Sequence, residues 1–429
     1  MKKIISLVLV FIIALTTHAV SVGAEQVLAE NQVRMGENIV GTYSDAGKTL
    51  IITGDGEMYR LKSESGGYVY REHLPYKVNE SVEKIVFNGN ITYISDYAFY
   101  GTSITEFSMP ESVKEIGAKA FANCVKLVKV DLGKTIERIG YSAFNGSGIK
   151  EIRLPKSLKI FGYTCDNTQD YVFNNYGTFS NCKNLETLDI GECTSSAIAN
   201  FNADLSTSGC NNFKNIRVSK NNKKYSVKDG VLFNKNKTKL LLYNFNINKK
   251  SYTIPKTVKT IGYAAFFNQK YLRNIKWNKK LKTIKEKAFS GTKIKSILIP
   301  NSVTIIDSSA FEYCKNLKKI KLSENVDDIK DYTFGDCNSL KKIIIPSNVK
   351  EIWQEAFSGC TSLTTIVIKN SKTAPVIEEQ AFSKAKANIK FYVKNQKVAK
   401  SLKKKLKGSG VKKAKIYVGN TLIYSKTNW

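Results

Sequence analysis

The sequence predicts an elongated solenoid of short β-strands rather than one compact domain. Three observations predict it. One pattern keeps returning: Phe99, Phe121, Phe144, Phe179, Phe266, Phe289, Phe311, Phe334, Phe357 and Phe382 follow one another at steps of 22, 23, 35, 87, 23, 22, 23, 23 and 25 residues. Apolar residues keep a fixed phase after each Phe and close on a period-two pair, such as Ile320 and Leu322 or Ile343 and Ile345. A chain of 429 residues also exceeds what one small core can hold.

One unit reads I-G-x-x-A-F-x-x-C-x-x-L-x-x-I-x-L-P-x-S-V-x-x. The I-x-L step predicts a short strand with both named residues facing inward, and a following proline, as at Pro300 and Pro346, ends it. S-V-x-x-I predicts a second extended piece, with Ala-Phe in a tight bend. Each unit exposes apolar groups that only a neighbour can cover, so copies must stack. Six residues separate Phe from the next Leu in the cysteine copies, and five where Gly replaces Cys, as through Gly101, Gly146 and Gly291. The longer bend calls for a small inward plug, a place for free Cys, and the shorter one for glycine's backbone freedom. Cys124, Cys182, Cys314, Cys337 and Cys360 are therefore read as core thiols. Cys165, Cys193 and Cys210 fall in an irregular stretch, where two of them could pair in an exported protein.

These residues carry a resemblance. VKEIGAKAFANCVKLVKVDL (113–132) and VKTIGYAAFFNQKYLRNIKW (258–277) resemble the BspA-like (TpLRR-type) leucine-rich repeats of bacterial surface proteins, over residues 82–393. The resemblance implies a leucine-rich-repeat solenoid, of the α/β horseshoe class by convention, with mostly short β-strands, tight bends and few short helices. It also implies adhesion to host matrix proteins, partner bacteria or glycans, with no single binding motif to carry over. GKTLIITGDGEMYR (47–60) resembles the segment that precedes such arrays, and YSVKDGVLFNKNKTKLLLY (225–243) a hairpin insert of the same family.

The expected order is a signal peptide at 1–24, a β entry cap at 25–81, repeats at 82–190, an irregular insert with a hairpin at 191–251, repeats again at 252–393, and a basic C-terminal cap at 394–429. The signal peptide rests on a basic MKK start, an apolar run from Ile4 to Leu15 too short to span a bilayer comfortably, and small residues at Val22 and Ala24, with cleavage after Ala24. An uncleaved anchor helix is the alternative. No further apolar run of membrane length follows, and KIYVGNTLIYSKTNW carries neither a sorting motif nor a hydrophobic tail, so the chain is expected outside the cell, with any surface attachment non-covalent.

Catalysis has little to work with. Of two histidines, His18 leaves with the signal peptide and only His73 remains, in the entry cap. There is no H-E-x-x-H, zinc-spaced cysteine pair or phosphate-binding glycine loop, and TGDGE (53–57) lacks a calcium-loop ligand series. The reading is not an enzyme, with no cofactor and no metal.

Charge says more. Net charge is +31, with 60 Lys and 7 Arg among the 67 basic residues. Arginine is the better bidentate reader of guanine, so a sequence-specific nucleic-acid binder is disfavoured. Affinity for an anionic polymer or surface is expected, against the plainer reading of a lysine-rich surface coat. Lysine placement sharpens this. In each L-x-x-I-x-L unit the x positions face outward. In the second block the first x is Arg273, Lys295, Lys318, Lys341 and then Thr364, and the next adds Lys319 and Lys342. Between the last two apolar residues stand Leu298, Lys321, Ile344, Val367 and Tyr392. The matching first-block pairs, such as Thr105–Glu106 and Lys150–Glu151, are mixed or neutral. Stacked strands lie about 5 Å apart, so cations in register repel by about 1 kcal/mol per close pair even in water. This face is the candidate ligand surface, and a solvated lysine face with stray apolar residues is the alternative. The expected function is a secreted or surface-associated, non-catalytic binding or adhesion module for a host matrix protein, a glycan or another anionic polymer. The other reading is a structural protein held by charge to anionic cell-wall polymer.

Overall fold

A computed structural model describes residues 28–61, 71, 74–163, 177–196, 198, 209–244, 246–369, 373–386 and 388–427. The expected cleavage after Ala24, His73 and Cys165 lie outside these residues. The described chain winds into a β-solenoid of about 13 turns.

Each turn contributes two short strands to two parallel ladders. The first ladder is built from the I-x-L step, as in Ser296–Leu298, Lys319–Lys321, Lys342–Ile345 and Thr365–Ile368. Alternation drives it: Lys319 and Lys321 are exposed and Ile320 between them is buried. The second ladder is built from the S-V-x-x-I step, as in Thr283–Ile284, Ile305–Ile306, Asp328–Ile329 and Glu351–Ile352. The bends stack as well. The Phe334 amide donates to Ala356 O at 2.9 Å, and the Phe311 amide to Thr333 O at 3.0 Å, so backbone bonds run from turn to turn on a third side. The residue before Phe is small because the next turn crosses directly over it: Ala98, Ala120, Ala143, Ala288, Ala310 and Ala356 are all buried.

The phenylalanines form a ring stack through the core. Successive centroids lie 4.9 Å apart at Phe266–Phe289, 5.5 Å at Phe289–Phe311, 5.8 Å at Phe311–Phe334 and 5.4 Å at Phe334–Phe357. The 87-residue step hides one more member. Tyr243 lies against Phe266 with centroids 5.0 Å apart and planes tilted by 30°, and donates its amide to Ala265 O, as Phe266 does to Ala288 O.

The structure corrects the cysteine reading in two ways. The position is a hydrogen-bond donor, not only an apolar plug: each thiol donates to the carbonyl of the preceding turn's Phe, Cys314 to Phe289 O at 3.2 Å, Cys337 to Phe311 O at 3.2 Å and Cys360 to Phe334 O at 3.1 Å. Glycine does not take its place in the short bends. Thr102, Ser147 and Thr292 do, with Thr292 Oγ1 3.3 Å from Cys314 Sγ. Gly101, Gly146 and Gly291 stand one residue earlier at φ of 75°, 69° and 70°, where the longer bends carry Asn123 or Asp336 at 59° and 53°. Gln269 fills the donor position in its own copy and reaches Tyr243 O at 2.9 Å.

Cys210 also belongs to this series. Its thiol donates to Phe179 O at 3.0 Å, and Asn215–Arg217 pairs in parallel with Thr187–Asp189. Residues 209–217 are thus a repeat turn in which Phe213 replaces the usual Leu. Cys193 and Cys210, left open for pairing, are buried thiols not joined in a disulfide.

The hairpin at 225–243 divides the interior. Val231, Phe233, Leu240 and Tyr243 join the core that runs on to Ile416, whereas Leu232, Leu241 and Leu242 join the core that begins at Met35. Its last strand, Lys239–Tyr243, pairs in parallel with Thr260–Ile261 and starts the second ladder again. Both ends of the solenoid reverse direction. Gln32–Gly36 and Ile39–Ser44 run antiparallel ahead of Thr49–Gly54, and Thr421–Thr427 runs antiparallel to Lys413–Val418. Helix α1 (Gln396–Lys405) buries Val398, Ala399 and Leu402 against the last turn, with the Asn395 side chain accepting from the Val398 amide.

Candidate ligand-binding face

The first ladder places the candidate residues on one outward face. Ser296 lies beside Lys319 and Leu298 beside Lys321. Lys342 lies beside Thr365 and Ile344 beside Val367. Lys318 and Lys341 precede their strands, and the Lys318 amide donates to Lys295 O at 2.9 Å. Lys295, Lys318, Lys319, Lys321, Lys341 and Lys342 are all exposed, and none forms an ion pair among the described residues. Arg273 differs: its guanidinium turns back onto Lys270 O at 2.8 Å, leaving it half-buried. Leu298 is 61% exposed and Ile344 38%, far more than a side chain with a packing role would be.

The same ladder in the first block is arranged differently. Lys129 pairs with Glu106 at 4.0 Å, Arg153 with Asp189 at 3.8 Å, and Lys214 with Glu186 at 3.3 Å. Arg217 reaches both Glu151 and Asp189. There the cations are neutralised across the ladder.

The second block keeps its carboxylates elsewhere. Asp307, Asp328, Glu351 and Glu378 lie on the second ladder, on the other side of the same turns. Burial opposes ionisation of Asp307, but hydrogen bonds from Lys330 and Lys285 prevail and hold its carboxyl below the usual range. Glu351 is pushed up by burial and by the adjacent Glu378, and Asp328 by burial. Between Lys295 and Lys342 the first-ladder face thus carries lysine without acid, while acids crowd together on the other ladder.

The sequence reading reached Tyr392 and stopped short of Lys390, Lys415 and Tyr417. Tyr392 lies beside Val367, Tyr417 beside Tyr392, and Lys415 beside Lys390. Those strands belong to the cap, where the repeat spacing has lapsed; only the alternation in NIKFYV and KAKIYV marks them. No group of three or more metal-ligating side chains occurs among the described residues. The thiols are set against reactivity: burial pushes Cys124, Cys182 and Cys314 up to about 11 and Cys360 to about 12. No helix among the described residues is long and apolar enough to cross a membrane.

Stacked turns with a long open face and segregated charge define a repeat protein. The chain belongs to the BspA-type leucine-rich-repeat family, whose model matches residues 76–175, 238–364 and 319–426 in six copies. Among solved structures it is similar to a leucine-rich repeat protein from Eubacterium ventriosum, with 24% identity over 82% of this chain and 94% of that one, and a TM-score of 0.66. It is also similar to the pneumococcal vaccine antigen PcpA, with 20% identity over 92% of this chain and 100% of that one, and a TM-score of 0.46. A comparison with curated proteins returns no match.

Proposed function

We propose that the protein is a secreted or surface-associated, non-catalytic binding module, and that the first-ladder face of its second block is the ligand surface. The observation that carries this is charge segregation. A general lysine coat would scatter its cations among the acids, as the first-block ladder does. Here six unpaired lysines share one face while Asp328, Glu351 and Glu378 lie on the other ladder. Holding like charges in register costs stability, about 1 kcal/mol per close pair before screening. An anionic protein segment or glycan relieves that repulsion on binding. Membership of a leucine-rich-repeat family supports a binding role.

An array of matrix proteins and glycans probed with residues 25–429 tests the proposal. Salt-resistant binding to a defined component supports it. The competing reading, a structural protein held to anionic wall polymer by its overall charge, draws on the C-terminal stretch from Lys384, which carries 14 Lys and no acid. Complete release from cells by high salt, with no ligand found on the array, would favour that reading.

A further inference from the structure

The lysine face continues into the cap, and its character changes there. Tyr392 and Tyr417 extend the outward line of Leu298, Ile344 and Val367, which Lys321 interrupts once beside Leu298, and their rings stack with centroids 5.0 Å apart and planes at 16°. Leu422, opposite Tyr417 on the next strand, is 47% exposed. Lysine accompanies this strip in the neighbouring column, at Lys319, Lys342, Lys390 and Lys415. From Leu298 to Tyr417 the strip crosses six strands, roughly 24 Å at the usual strand spacing.

A ligand that used the whole face would present anions on one edge and an apolar flank on the other. A bare phosphate chain or a polyglutamate would satisfy the lysines and leave the strip wet. A sugar polymer does both: ring C–H faces are apolar, and carboxylate or sulfate groups project from the ring edge. The repeat lengths also agree, since a pyranose in an extended chain advances by close to one strand spacing. We propose that the face holds a linear anionic polysaccharide lying along the solenoid axis, about one sugar per turn, with its rings on the strip and its anions on the lysine column. This rests on the ligand-face reading above and narrows it to one chemistry.

The test is equilibrium binding of the mature chain to uronic-acid oligomers of increasing length, with sulfated oligomers in a parallel arm and inorganic polyphosphate and polyglutamate of matched charge as comparators. Affinity should rise with each added sugar to about six and then level, one per strand. Both comparators should bind about tenfold more weakly. Leu298→Ser alters an exposed side chain and leaves the core intact, and Tyr392→Ala removes one ring of the pair. Both should weaken oligosaccharide binding while leaving polyphosphate binding unchanged, so a misfolded variant is recognised by loss of both. Equal binding of all polyanions, indifferent to these two substitutions, overturns the glycan inference and leaves the ligand face standing. Undiminished binding of every ligand to a Lys319→Glu, Lys342→Glu variant overturns the face itself.

Discussion

Phe334 is fully buried between two rings, 5.8 Å from Phe311 and 5.4 Å from Phe357. Its neighbours are held by backbone bonds on three sides of each turn and cannot close a void. Phe334→Ala should therefore cost about 3–5 kcal/mol, read as a fall in thermal or denaturant midpoint. Cys337 separates two accounts of the thiol column. As a second donor to Phe311 O, beside the Cys314 amide at 3.3 Å, it should tolerate Ser better than Ala, because Ala loses that hydrogen bond at about 0.5–1.5 kcal/mol. A mere apolar plug would give the opposite order in denaturant unfolding. Asp96 supplies the pH dependence. It is buried, and burial pushes its carboxyl up to about 6 despite the Ala118 amide donating to it. The folded state therefore resists ionisation. Stability from this group is greatest below about pH 4 and falls as pH rises to about 6, by about 2–3 kcal/mol. Comparing unfolding of the parent with Asp96→Asn across that range should show the loss in the parent alone.

Among the elements, the hairpin at 225–243 shows what the sequence could reveal and what it could not. Its likeness to a family insert was readable. Which side each residue of 231–233 and 240–243 faces was not, because those positions are all apolar and all buried. Leu232 faces the first core and Phe233 the second. Amide exchange should record the division: Leu232→Ala should reduce protection mainly in turns before residue 225, and Phe233→Ala mainly in turns after 243. Uniform loss in both would contradict the partition. The regular turns were legible because Phe, Leu and the I-x-L pair repeat at fixed spacing. The turn at 209–217 escaped because Phe213 replaces Leu, and Tyr243 escaped because no Ala precedes it. The donor position was misaligned at Gly101, Gly146 and Gly291, since spacing alone cannot tell a left-handed backbone residue from the inward side chain that follows it. The outward face was legible wherever strands alternate. Arg273 is the exception, because a long side chain can fold back onto its own bend.

At the scale of the whole molecule, the two blocks share one architecture and differ in how they arrange charge. First-block strands set acids against cations across neighbouring turns; second-block strands leave the lysines of one ladder without acid and keep their acids on the other, where Lys285 and Lys330 pair with Asp307. Packing does not require this, since the lysines of the first-ladder face are exposed, so the arrangement is where function is to be sought. Overall charge and local arrangement predict different things. Diffuse attraction depends on the number of charges, and a site depends on which ones. The most direct measurement is equilibrium binding to an anionic polysaccharide at one salt concentration for two double charge reversals, Lys318→Glu with Lys341→Glu and Lys129→Glu with Lys150→Glu. Both change net charge by the same amount. The account predicts a loss of about tenfold or more from the first pair and little from the second. Equal losses from the two pairs would contradict it.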